Sequence, residues 1–120
     1  MEENSDIEEL KEKVDFGIKI WLEFEGKSIL GSGWANLLAC IDNSDIESLT
    51  DAAKECEYSY KYAWNILKRI EERTGYSPVI TSKGGRGGGG WVKLNNWGTY
   101  LLEKYKTLSE EVEKLNMKLK

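Results

Sequence analysis

Residues 58–98 read YSYKYAWNILKRIEERTGYSPVITSKGGRGGGGWVKLNNWG, and few arrangements suit such a run. A strongly patterned helix opens it, Gly75 and Pro78 break that helix, and a short hairpin follows around a glycine-rich tip. The hairpin leads into a second, long helix. On a 3.6-residue period Ala63, Ile66, Leu67 and Ile70 fall on one face. Lys61, Asn65 and Lys68 fall on the opposite face, flanked by Tyr58 and Arg69. Two readings fit that outward row. It is the solvated face of an ordinary helix, or it is a set of hydrogen-bond donors built for presentation. In the second case Asn bonds adenine bidentately, and Lys reaches guanine or phosphate.

A chain of 120 residues makes one domain with a modest core. No run approaches the ~18 apolar residues of a membrane span, and the acidic start MEENSDIEEL lacks a signal-peptide core. The expected location is cytoplasmic, with no membrane partner. Net charge is −4, which argues against bulk attraction to nucleic acid, but the charge is unevenly placed. Between Tyr58 and Lys93 stand seven Lys/Arg (61, 68, 69, 73, 83, 86, 93) and two acids, a local +5 that leaves −9 elsewhere. Cys40 and Cys56 sit in predicted helices without CxxC spacing, and there is no His. No metal site is therefore expected, and the cysteines read as two buried structural thiols.

Before the central run, residues 6–14 predict a short helix with an Ile7-Leu10-Val14 stripe. From Gly17 to Glu25 the residues alternate, Ile18, Ile20, Leu22 and Phe24 against Lys19, Trp21, Glu23 and Glu25, which predicts a half-buried strand. Glu25-Gly26-Lys27 is a turn and Ser28-Ile29-Leu30 the returning strand. Ser32 is the expected N-cap of a helix carrying Trp34, Leu37, Leu38 and Ile41. Ser48-Leu-Thr-Asp51 has a capping-box pattern and opens a helix over 49–56, with Ala52, Ala53 and Cys56 inward. Glu57-Tyr58 is then a tight turn into the helix 59–73 capped by Ser59. Helix, short turn, helix, with small residues at the crossing, predicts a helix-turn-helix.

Gly85-Arg-Gly87-Gly-Gly-Gly90 matches G-x-G-x-x-G literally. A dinucleotide site needs a helix directly after the glycines, whereas Trp91-Val-Lys-Leu94 is strand-like. A Walker A loop fails because no Lys-Ser/Thr follows, and an RGG-type RNA segment would be repeated. A plain solvent loop remains, as does a wing between the strands 79–82 and 91–94. The position after a helix-turn-helix favours the wing, in which glycines let backbone approach phosphates and Lys83, Arg86 and Lys93 supply charge.

Several of these residues together resemble the N-terminal DNA-binding domain of ModE-type, molybdate-responsive transcription regulators. They are Ser48-Leu-Thr50 with Ala52-Ala53, Ser59-Tyr-Lys-Tyr-Ala-Trp64, Gly84-Gly-Arg-Gly-Gly-Gly-Gly90 and Leu94-Asn-Asn-Trp-Gly98. The hairpin into Leu30-Gly-Ser-Gly33 and Leu37-Leu38 looks similar too, and the resemblance covers roughly residues 17–105. It implies a winged helix-turn-helix that dimerises on an operator of imperfect two-fold symmetry. Ser59, Tyr60 and Lys61 at the start of the reading helix and Arg86 in the wing are the implied DNA contacts. Three features depart from the family. Its full-length members continue into molybdate-binding domains, so this chain is not expected to bind the oxyanion itself. Glu57 stands where the turn usually holds Gly, and Trp91-Val-Lys93 places one extra residue between the glycines and Leu94.

The expected fold class is α+β, mainly α: a winged helix-turn-helix with an N-terminal β-hairpin and a long C-terminal dimerisation helix. The divisions are a helical arm over 1–16, the DNA-binding domain over 17–98 and the dimerisation helix over 99–120. The expected function is sequence-specific binding of double-stranded DNA as a homodimeric transcription regulator, with helix 59–73 in the major groove and wing 79–94 on the backbone or minor groove. Candidate DNA contacts are Ser48, Thr50, Tyr58, Ser59, Tyr60, Lys61, Asn65, Lys68, Lys83, Arg86 and Lys93. Trp64, on the flank of the apolar face, reads as packing. Leu101, Tyr105, Leu108, Val112, Leu115 and Leu119 recur at steps of four and three. That pattern suits a coiled-coil seam between two chains, and it also suits one amphipathic helix folded onto its own domain. The seam is preferred because the helix outruns a small domain. No cofactor is expected, and an effector would act through a separate ligand-sensing partner. A protein-interaction module without DNA affinity is the alternative. An enzyme is not expected, because no His, accessible thiol or convergent carboxylate pair is offered for catalysis.

Overall fold

The computed structural model describes residues 2–82 and 90–120, with side chains described from Ser5 onward. The elements in order are α1 (Glu2–Lys13), β1 (Leu22–Phe24), β2 (Lys27–Leu30), α2 (Ser32–Asp42), α3 (Leu49–Glu55), α4 (Tyr60–Thr74), β3 (Val79–Thr81), β4 (Val92–Leu94) and α5 (Asn96–Leu119). Two antiparallel hairpins, β1–β2 and β3–β4, flank a helical core, so the class is α+β and mainly α.

The first hairpin closes on Glu25 and Gly26, both with positive φ, +49° and +83°. Two left-handed residues in a two-residue loop give the mirror-image turn that matches strand twist. The strand is shorter than the alternation over 17–25 predicts. Leu22 pairs with Leu30, after which the chain turns into α2, so residues 17–21 have no partner strand. Ile18 and Trp21 are correspondingly exposed, while Leu22, Ile29 and Leu30 enter the core.

The N-cap of α2 is Gly31, in extended conformation, and no side chain caps the helix. Ser32 is thus the first helical residue rather than its cap. Leu37, Leu38 and Ile41 on α2 form the centre of the core, against Ala52, Ala53 and Cys56 from α3, Ile66, Leu67 and Ile70 from α4, Val92 from the wing and Leu101 and Leu102 from α5. Ile66 and Ile70, at most 1% exposed, each contribute roughly 1.5–3 kcal/mol by burial.

The helix-turn-helix is capped on both sides of its turn. Ser48 Oγ accepts from Asp51 N at 3.1 Å and Ser59 Oγ from Tyr62 N at 3.0 Å. Between them Glu57 takes φ +60°. Its N–H donates to Lys54 O at 3.0 Å, and Tyr58 N donates to Ala53 O at 2.8 Å. This pair of bonds is the Schellman ending, which wants a left-handed residue after the cap. At the far end, α4 stops on the left-handed Gly75, φ +87°.

Helix α5 starts at Asn96, so a division at 98/99 falls inside a helix whose first turns belong to the core. Asn95 caps it, Oδ1 accepting from Gly98 N at 2.9 Å. The same side chain donates to Ser77 O at 2.7 Å, and Asn95 N donates to Pro78 O at 3.1 Å. Farther along, α5 leaves the core, and the molecule extends 76 × 30 × 23 Å. The stripe Ile7, Leu10 and Val14 is exposed. No helix among the described residues is long and apolar enough to cross a membrane.

Candidate nucleic-acid interface

Helix α4 reaches solvent because its apolar residues keep to one side. Lys61, Asn65, Lys68 and Arg69 are all exposed on the other. Beside this row runs a second one, Tyr60, Trp64 and Lys68, at i, i+4 and i+8. These residues form one wall of an open cleft of about 400 Å³. The opposite wall is the base of the wing, Val79, Thr81, Ser82, Trp91 and Val92, and Ser48, Leu49 and Thr50 at the start of α3 close one end. The wing is held there by backbone: Val92 N donates to Glu47 O at 2.8 Å, just ahead of α3.

Both walls carry an aromatic ring with a lysine over it. Lys68 Nζ lies 5.6 Å from the Trp64 ring centroid, and Lys93 Nζ lies 5.5 Å from that of Trp91. Such exposed cation–π contacts are worth roughly 0.5–1 kcal/mol each, enough to bias the two ammonium groups toward their rings without burying them. Lys68 also lies 4.0 Å from Glu71, an exposed pair that contributes little. A cleft with aromatic walls and exposed hydroxyl groups, lined by Lys68 and Glu71 and with further lysines beside it, suits a polyanion that also presents flat or hydrogen-bonding faces.

The sequence-derived candidates therefore separate into groups. Ser48, Thr50, Tyr60 and Lys68 line the cleft, Lys61 and Asn65 lie on the adjoining face of α4, and Lys93 extends from β4. Ser59 is exposed, but its hydroxyl caps α4. Tyr58 turns inward: its hydroxyl donates to Gly33 O at 2.9 Å and its ring meets Tyr62 edge-on at 5.0 Å. It fastens the turn to α2 and does not offer that hydroxyl outward. Lys83 and Arg86, with the glycine tip, lie outside the described residues. Arg73, part of the basic centre of the sequence, is used internally. It donates to Ser28 O and stacks 5.7 Å from the Trp34 ring.

Two aromatic residues are placed differently from expectation or were not singled out. Trp64 is 46% exposed and faces the wing rather than packing. The flank position that suggested packing is the one the wing leaves open. Trp91 is 43% exposed in the facing wall, and its signal was the extra residue between the glycines and Leu94. On α5, Leu101 is 2% exposed and belongs to its own protomer's core, so it drops out of any intermolecular seam. Tyr105 packs half-buried against that core and Val112 is half-buried. Leu108, Leu115 and Leu119 are exposed. Among the described residues no cluster of three or more His, Cys, Asp or Glu is placed to hold a metal.

No protein-family model matches the chain. Over 67 residues it is 33% identical to the DNA-binding transcriptional dual regulator ModE of Escherichia coli K12, and equally to the transcriptional regulator ModE of Shigella flexneri. The match takes in 56% of this chain, which spans about a quarter (25%) of the length of those curated relatives. Among solved structures, S. aureus MepR in its complex with DNA is similar over 72% of this chain and 69% of that one, with a TM-score of 0.52 and 16% identity. At that identity the likeness is one of fold, and it supports the winged-helix architecture.

Proposed function

We propose that this chain is a double-stranded-DNA-binding transcription regulator that acts as a homodimer. Helix α4 enters the major groove, and the β3–β4 wing rests on the backbone or the adjacent minor groove. The observation that carries this reading is the cleft just described and the face beside it, where the exposed donor row of α4 and the start of α3 meet the wing that carries Lys93. Lys61 and Asn65 are the proposed readers of base edges. Thr50, Tyr60, Lys68 and Lys93, with Lys83 and Arg86 by their place in the sequence, are the proposed phosphate contacts. The matched relatives named as DNA-binding or transcriptional regulators support the same reading.

The dimer rests on α5. Leu108, Val112, Leu115 and Leu119 keep the four–three spacing past the end of the core, and the three leucines are exposed. Two such helices bury that seam against each other, and a two-fold pair places its reading helices about 34–36 Å apart, one turn of DNA.

The test is anisotropy with random duplex DNA across a salt series, with mass by light scattering. The expected result is a dimer whose log affinity falls linearly and steeply with log salt. A stable assembly with no affinity at low salt would overturn the proposal in favour of a protein-interaction module.

A further inference from the structure

Away from the cleft, α2 and α3 meet at two thiols. Cys40 lies in the last turn of α2, and Cys56 is the residue that closes α3. Their sulfurs are 2.9 Å apart, inside van der Waals contact and only about 0.9 Å beyond the ~2.05 Å of a disulfide. Asn36, one turn before Cys40, holds the pair in place. Its Nδ2 donates to Cys56 Sγ at 3.6 Å, and its backbone carbonyl lies 3.6 Å from the same sulfur as an acceptor. Cys56 is buried while Cys40 is half-buried, so a reagent in solvent meets Cys40 first. Of the two buried structural thiols expected, Cys56 is buried and Cys40 only partly so, and neither residue serves the proposed DNA surface.

We propose that Cys40 and Cys56 are a reversible modification site, a dithiol that exchanges with small-molecule disulfides of the glutathione type to form one intramolecular bridge. The Cys40 thiolate, its proton given to solvent, attacks one sulfur of glutathione disulfide. The glutathione S–S bond breaks, a Cys40–glutathione bond forms, and one glutathione leaves as thiolate and takes a proton. Cys56 then releases its proton and attacks Cys40 Sγ. The mixed disulfide breaks, the Cys40–Cys56 bond forms, and the second glutathione leaves and is protonated. The protein loses two electrons and two protons, and the glutathione disulfide gains both.

Burial, then the neighbouring Cys40, pushes the Cys56 thiol up to about 12. Cys56 therefore rests as the thiol, and the more exposed Cys40 is the residue that opens the exchange. In a reducing compartment such a bridge is transient. It joins α2 to the residue directly before Glu57, whose left-handed conformation sets the course of the chain from α3 into α4. Closing a loop between residues 16 apart in sequence raises the thermal midpoint by roughly 10 °C.

The experiment treats the whole chain with excess oxidised glutathione, followed by intact mass, free-thiol count and a thermal scan. The expected product is monomeric on a non-reducing gel, lacks both thiols, is lighter by two hydrogens and melts higher, and dithiothreitol reverses every change. Cys56→Ala is expected to stop at the glutathione adduct on Cys40, and Cys40→Ala to stay unmodified. A wild-type adduct on Cys40 that never resolves, a covalent dimer, or unchanged thiols would overturn the proposal. None of these readouts involves DNA, so the result stands apart from the function proposed above.

Discussion

Replacing Glu57 with glycine is expected to make the protein more stable and to tighten its hold on DNA, for separable reasons. Glu57 has φ +60° and sits between two turn-closing hydrogen bonds, its own N–H to Lys54 O and Tyr58 N to Ala53 O. A side chain in that conformation costs about 1–2 kcal/mol, while glycine's extra freedom in the unfolded chain returns about 0.4–1 kcal/mol. The net gain is about 0.5–1 kcal/mol, or a thermal midpoint higher by roughly 4 °C. Glu57→Ala is the control, because alanine removes the carboxylate and keeps the strain. Any contribution of the charge to the nearby start of α4 is lost from both variants, so their difference in urea unfolding isolates the backbone. For DNA the two variants should behave alike. Each removes an exposed negative charge ahead of α4, giving roughly two- to five-fold tighter binding at low salt that fades as salt rises. If Glu57→Gly is no more stable than Glu57→Ala, the strain argument is refuted. If neither variant binds DNA more tightly, Glu57 does not face phosphate and the docking proposed for α4 is wrong there.

Lys61→Ala is expected to cost about 1–3 kcal/mol on a selected operator and to flatten its preference over random DNA, whereas Lys93→Ala should weaken all duplexes alike and reduce the salt slope by about one. Anisotropy on both DNAs distinguishes these patterns, and identical behaviour would mean that one of the two residues has been given the wrong role. Leu108→Lys with Leu115→Lys is expected to convert dimer to monomer in light scattering while leaving helicity intact; a persisting dimer would move the interface away from the exposed seam. In reduced protein, the folded state holds the Cys56 proton up to about 12 against the ordinary 9.0. The resulting stabilisation is complete below pH 9.0 and is lost as pH rises from there toward about 12, with a slope of up to ~1.4 kcal/mol per pH unit. Cys56→Ser should fall less steeply over that window in urea titrations, and an equal slope would count against the shift.

Much of this architecture was legible because local rules and the tertiary fold agree. The α4 stripe Ala63, Ile66, Leu67 and Ile70 is buried as its period requires, and Ser48, Ser59 and Asn95 cap the helices they precede. The alternation over 17–25 was misleading because a strand also needs a partner, and β2 ends at Leu30 before it can pair residues 17–21. Ser32 looked like a cap by residue type, but the extended residue is Gly31. On α5 the spacing alone could not tell an internal stripe from an outward-facing one, and the helix carries both. Leu101 faces its own core, while Leu108 and Leu115 face solvent. Trp64 shows the same limit in the candidate interface. A flank residue on a helix packs or stays open according to what lies beside it, and beside it is a wing 15 or more residues later in the chain.

The wing and the long helix share one anchor. Strand β3 begins directly after Pro78 and β4 ends directly before Asn95, so both feet of the wing stand where Asn95 bonds Ser77 and Pro78. Gly98 completes that seat, since a Cβ there would lie 2.1 Å from the Pro78 carbonyl oxygen. If α5 carries the dimer axis, the distance between two protomers and the pose of each wing cannot be set independently. Gly98→Ala tests this coupling. The clash is with backbone, so α5 or the 77–78 segment must shift, at about 1–3 kcal/mol of overpacking. The variant is expected to remain folded and dimeric by circular dichroism and light scattering but to lose DNA affinity by more than Lys93→Ala does, because the whole wing is displaced rather than one charge. Unchanged affinity in a measurably destabilised Gly98→Ala would show that the wing adjusts on its own and that its pose is not set by α5.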